Sequence, residues 1–89
     1  MNTVTKFEAK LPVRGQDGHV LLAVSTGSGE REFVSPVPVD DPGWAQSIIA
    51  DFEAVLAVCG AQDFDSLVGC RVQVGDDRVL GSDGAQFPR

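Results

Sequence analysis

The stretch Asp40-Asp41-Pro42-Gly43-Trp44-Ala45-Gln46-Ser47-Ile48-Ile49-Ala50-Asp51-Phe52-Glu53-Ala54-Val55-Leu56-Ala57-Val58-Cys59-Gly60 decides the fold. It is the only segment long and periodic enough for a sizeable helix. Trp44, Ile48, Ile49, Phe52, Val55, Leu56 and Cys59 recur at helical spacing and define an inner face. Asp41 suits the N-cap, because its carboxylate accepts from the free amides of a first turn. Pro42 then falls at the first helical position, where a missing N–H costs nothing. Gly60 suits the left-handed residue that ends a helix. The outer face, Gln46, Ala50, Glu53, Ala54 and Ala57, is short of charge for a face bathed in water. It is expected to be partly covered by the rest of the chain.

Three extended segments precede this helix and two follow it. Residues 3–13 alternate, with Thr5, Phe7, Ala9 and Leu11 on one side and Lys6, Glu8 and Lys10 on the other, as in a half-buried strand. Pro12 limits pairing, so the C-terminal end of this strand is expected at an edge or a bulge. Arg14 to His19 is a glycine-assisted turn. Val20 to Ser25 is apolar on both faces, as a central strand is. Thr26-Gly27-Ser28-Gly29-Glu30 reads as a flexible hairpin connection. Arg31 to Val39 is extended, with Pro36 and Pro38 marking an edge. After the helix, Asp63 caps a single turn whose Phe64 and Leu67 reach the core, and Gly69 ends it. Cys70 to Val74 and Arg78 to Leu80 are strands around a Gly75-Asp76-Asp77 turn.

The expected fold is α+β: a small antiparallel β-sheet of four or five strands, ordered βββ-α-ββ, with one main helix packed on one face. Residues 1–80 form a single domain. Residues 81–89 have no pattern and are expected to be a flexible tail. The expected core is Phe7, Leu11, Val20, Leu22, Val24, Phe33, Trp44, Ile48, Phe52, Val55, Leu56, Leu67, Val72 and Val74.

Eighty-nine residues, 43% hydrophobic and 22% charged, suit one globular domain. No run approaches the length of a membrane span, and the first residues lack the basic and apolar regions of a signal peptide. A cytoplasmic location is expected. The net charge is −6 and the pI about 4.4, but the charge is unevenly placed. Residues 1–39 carry four acids and four bases, whereas residues 40–89 carry nine acids and three bases. Between Arg31 and Arg71 there is no Lys or Arg. Such a surface repels phosphate and argues against direct nucleic-acid binding. The Lys6, Lys10 and Arg14 stripe is interrupted by Glu8 and lacks exposed aromatic residues.

The residues that carry chemistry elsewhere do not assemble here. His19 is the only histidine and stands in a turn. Cys59 and Cys70 lack the paired spacing of a zinc site, and two thiols are expected in preference to a disulfide. The pairs Asp40-Asp41 and Asp76-Asp77 do not fit a calcium loop. Gly27-Ser28-Gly29 lacks the Lys-Ser/Thr of a phosphate loop, and no nucleophile elbow is present. The expectation is a protein that is not an enzyme and uses no cofactor and no metal.

What remains is contact. The candidate protein-binding residues are Asp40, Asp41, Asp51, Glu53, Asp63, Asp65, Asp76 and Asp77, which would suit a Lys/Arg-rich groove on a partner protein. The alternative is a structural or adaptor module, monomeric or homodimeric through a sheet edge or the alanine-rich helix face. As a whole-chain type, one short acidic domain with a small antiparallel sheet, one helix and no catalytic set, the sequence resembles the anti-CRISPR proteins that phages and mobile elements use against bacterial defence. Leu67-Val68-Gly69-Cys70-Arg71-Val72-Gln73-Val74 is also similar to the ending of several small phage proteins, with Cys70 where a Lys is more usual. Anti-CRISPR proteins share no common sequence, so no functional residue transfers. The resemblance implies an inhibitor that binds a CRISPR surveillance complex or nuclease in the bacterial host cell and blocks DNA binding or cleavage.

Overall fold

The computed structural model describes residues 2–88. Three strands, β1 (Asn2–Lys10), β2 (Gly18–Thr26) and β3 (Gly29–Val37), lead into the helix α1 (Trp44–Cys59). A 3₁₀ turn (Phe64–Ser66) and the strands β4 (Arg71–Val74), β5 (Val79–Leu80) and β6 (Gln86–Phe87) follow. The strands form one antiparallel sheet in the order β3-β2-β1-β4-β5-β6, and α1 packs on it. This is the expected α+β class with one strand more than the sequence indicates.

The extra strand corrects the reading of residues 81–88 as a tail. β6 pairs with β5, and Phe87 is fully buried. Its one large apolar side chain sits in a Gly/Ser/Asp-rich segment, where no alternation announces a strand. Burying that ring outweighs the poor local propensity.

β2 lies inside the sheet, as its two apolar faces require, and Val20, Leu22 and Val24 are fully buried beneath the helix layer. Gly27 and Ser28 alone connect it to β3, and hydrogen bonds define the connection. The Thr26 hydroxyl donates to the Gly29 carbonyl and accepts from the Ser28 amide. Gly18 is needed for space: a Cβ there would overlap the Lys10 carbonyl.

β1 contains a bulge. Val4 lies opposite Val24 but Lys6 lies opposite Ala23, so Thr5 is the extra residue. An extra residue moves the alternation by one place. Val4 and Phe7 therefore share the inner face, which a strict alternation from Thr5 does not allow. Val4 is buried, whereas Leu11, expected in the core, is 53% exposed past the end of the strand.

The helix begins later than expected. Asp41 does not cap it. Its carboxylate accepts from the Gly43 amide and its carbonyl from Trp44, so Asp41-Pro42-Gly43 is a turn before the helix, and Gly43 stands at the N-cap. Gly60 closes the other end with φ of +62° and donates to Ala57. The buried helix face is also rotated from the expected one. It consists of Ile48, Asp51, Ala54, Val55 and Val58, while Trp44, Phe52, Leu56 and Cys59 lie at its margins and Ile49 is 48% exposed. A polar residue at the centre of the stripe, Asp51, hides the true face from a pattern of apolar residues.

Candidate binding surfaces

α1 and its two connections carry most of the candidate acids. Asp40 and Asp41 are exposed in the turn before the helix, and Glu53 is exposed on its outer side. Asp63 and Asp65 are exposed at the 3₁₀ turn, where the Asp63 carboxylate accepts from the amide and the hydroxyl of Ser66. Asp63 is thus a cap, as expected. The segment itself adds no base to this group, because no Lys or Arg lies between Val39 and Cys70. The acids do not gather tightly: among the described residues no three His, Cys, Asp or Glu side chains are placed to hold a metal ion.

Two corrections narrow the set. Asp51 faces the sheet, is 5% exposed and accepts from the Ser35 hydroxyl of β3 at 2.8 Å. It joins helix to sheet and presents no charge to a partner. Asp76 and Asp77, in the β4–β5 turn, lie beside bases. The Arg31 guanidinium donates to the carbonyls of Gly75 and Asp76, at 3.3 and 2.7 Å, fastening β3 to that turn. Arg78 pairs with the Asp77 carboxylate at 2.9 Å and holds its carboxyl below the usual carboxylate range. Asp40, Asp41, Glu53, Asp63 and Asp65 remain as exposed acids without a neighbouring base in sequence.

The alanine side of α1 is partly covered, as the shortage of charge suggests. Ala54 is buried and Ala50 half-buried. A groove of about 500 Å³ runs between Ala50, Glu53, Ala54 and Ala57 on the helix and Gly84, Ala85 and Gln86 before and within β6.

The opposite flank of α1 holds a surface that apolar periodicity assigns to the core. Phe7 of β1, Phe52 of α1 and Phe64 form a three-ring cluster. The Phe7 and Phe64 rings stack with centroids 5.1 Å apart, and Phe52 meets them edge-on at 6.1 and 5.4 Å. Phe64 remains 42% exposed. Ile49 stands one helical turn before Phe52 on the same flank. The signal in the sequence is Asp63-Phe64-Asp65: an aromatic ring between two exposed acids on a single turn has little to bury it.

His19 has no evident partner in the sequence, but the fold supplies one. Its Nε2 lies 3.1 Å from Glu8, which also pairs with Lys6 at 3.2 Å, on the sheet face away from α1. Both neighbours, Lys6 first, hold the Glu8 carboxyl below its ordinary value. Cys59 and Cys70 are free thiols. Burial, and to a lesser degree Cys70 beside it, pushes the Cys59 thiol up to about 12, so it is a poor nucleophile. Among the described residues no helix is long and apolar enough to cross a membrane.

No family model matches the chain, and neither a curated protein nor a solved structure matches it.

Proposed function

We propose that this protein acts by binding and not by catalysis, as an inhibitor that presents its acidic helix layer to a basic nucleic-acid-binding site on a partner protein. One observation carries this reading: the separation of charge between the layers. The exposed acids Asp40, Asp41, Glu53, Asp63 and Asp65 belong to α1 and its connections, which carry no base, while in the sheet and its turns Lys6, Lys10, Arg31, Arg71 and Arg78 are mixed with Glu8, Glu30, Glu32, Asp76 and Asp77. A surface of one sign attracts a partner of the other and adds specificity through charge placement. The anti-CRISPR resemblance directs the search to a CRISPR surveillance complex or nuclease in the cytoplasm of a bacterial host.

The test is binding to purified complexes of that kind, with target-DNA binding and cleavage as the readout. The D40K/D41K/E53K variant is expected to weaken inhibition by roughly tenfold or more, while D76K, beside Arg31, costs less. Raising the salt is expected to weaken the wild-type complex. A folded triple variant that inhibits as well as the wild type refutes the acidic-surface mechanism. Asp51 is left out of the variant, because a lysine there would be buried against β3.

A further inference from the structure

We propose that two copies of this chain associate by pairing their β1 strands, antiparallel and edge to edge, with the twofold axis at Phe7.

β1 has a strand on both sides only at its beginning. It pairs with β2 from Thr3 to Lys10 but with β4 only at Asn2 and Thr3. Val4 extends the second side by one step, donating to Cys70 and accepting from Gly69. Beyond it, among the described residues, no strand pairs with β1 on that side. The bulge at Thr5 shifts the alternation, so the next residues to turn their N–H and C=O outward there are Phe7 and Ala9. An unpaired row of this kind is a template for another strand.

The chemistry of the edge selects a second copy over a basic partner. Around Phe7 as centre, an antiparallel copy places Lys6 opposite Glu8 and Glu8 opposite Lys6, so each charge meets its opposite. Opposite-charge pairs directly across a ladder are favourable and like-charge pairs are not. A Lys/Arg-rich segment would meet Lys6 and Lys10 instead. The approach also suits the charge of the whole molecule. Two copies of a protein with net charge −6 repel, and residues 1–39, with four acids and four bases, form the part that does not. On the inner face, the pairing sets the two Phe7 rings side by side and adds a partner's surface to the exposed Phe64 and Ile49.

Light scattering on the eluting full-length chain, at low salt and high micromolar concentration, is expected to give twice the 9.4 kDa chain mass. In the K6E variant both symmetric pairs set acid against acid, and in the E8K variant both set base against base. Each is expected to weaken self-association roughly tenfold, because the pairs become repulsive. In an equimolar mixture of K6E and E8K both cross-strand pairs of the mixed dimer set acid against base, so the two variants are expected to associate with each other as the wild type does. The double variant K6E/E8K restores both opposite-charge pairs and is expected to form a homodimer as the wild type does. Ala9→Pro removes an outward N–H and is expected to leave a monomer. Circular dichroism and thermal unfolding check that each variant is folded, and the charge variants decide the matter if the proline variant is not. A monomeric wild type under these conditions overturns the proposal. So does a dimer whose K6E and E8K variants associate as the wild type does, because such a dimer uses another face. Neither outcome depends on an inhibited target.

Discussion

β1, β2 and β3 run nine residues each and pair along nearly their whole lengths, whereas β4, β5 and β6 run four, two and two residues. The first half of the sheet is a ladder; the second is held chiefly by what its few residues bury. Val79 and Phe87 are fully buried, as is Leu67 in the connection before β4. The difference separates two uses of one chain. The ladder half is balanced in charge and leaves an edge open. The other half, with the helix layer, carries the excess acid and closes the core by single side chains.

The largest test of this comparison is Phe87→Ala. If residues 81–88 were a mobile tail, the change would be silent. With Phe87 fully buried, it is expected to cost about 3–5 kcal/mol of unfolding free energy, measured by urea titration. Val34→Ala on the edge strand β3, 44% exposed, is expected to stay within about 0.5 kcal/mol. Equal effects of the two would mean that β6 does not hold the core.

How much the sequence discloses follows the same division. The long alternating strands, the interior β2, the single helix and the Asp63 cap are all readable, because each rests on a local signal. β6 is not, because it rests on one buried ring and a two-residue pairing with β5, neither of which leaves an alternating pattern. The helix boundary is ambiguous at Asp41, where an aspartate before Pro-Gly serves a turn as well as it serves a cap. Of the candidate acids, only the placing of Asp40, Asp41, Glu53, Asp63 and Asp65 in an exposed stretch without Lys or Arg is readable. The burial of Asp51 is not, since it depends on which elements meet, and the Asp77–Arg78 pair depends on how the β4–β5 turn is shaped. The aromatic surface escapes a sequence reading because apolar spacing assigns Phe7, Phe52 and Phe64 to the core, whereas how much of Phe64 is covered depends on how the 3₁₀ turn meets β1 and α1.

A smaller effect tests how the two layers are joined. Ser35 of β3 donates to buried Asp51 of α1, and every buried side-chain polar atom among the described residues has a partner. Ser35→Ala leaves an Asp51 oxygen without this donor and is expected to cost about 1–3 kcal/mol. Replacing both partners, S35A with D51L, removes the polar pair together. It is expected to be less destabilising than the sum of the single changes, if leucine packs in the space. Additive effects in this double-mutant cycle would show that the bond does not couple helix and sheet.

The smallest effect concerns charge and distinguishes the halves by sign. Glu8 lies between Lys6 and His19, and these partners, Lys6 chiefly, lower its carboxyl pKa in the folded chain from an ordinary 4.5. A carboxylate with a lowered folded pKa contributes stability that is complete above the unfolded value. That contribution disappears as the pH falls through the folded one. The wild type is therefore expected to unfold at a slightly higher temperature than E8Q at neutral pH, with the difference vanishing in acid below pH 4.5. It is small because the group is exposed and its pairs are screened by solvent. Glu53→Gln, on a layer without bases, removes a negative charge from a field of its own sign. It is expected to leave stability unchanged or slightly raised at neutral pH. A melting-temperature series of the two variants against pH reads both signs at once. If E53Q loses stability as E8Q does, the helix-layer acids have stabilising partners within the fold, and the charge separation offered to a binding partner is smaller than the arrangement of residues implies.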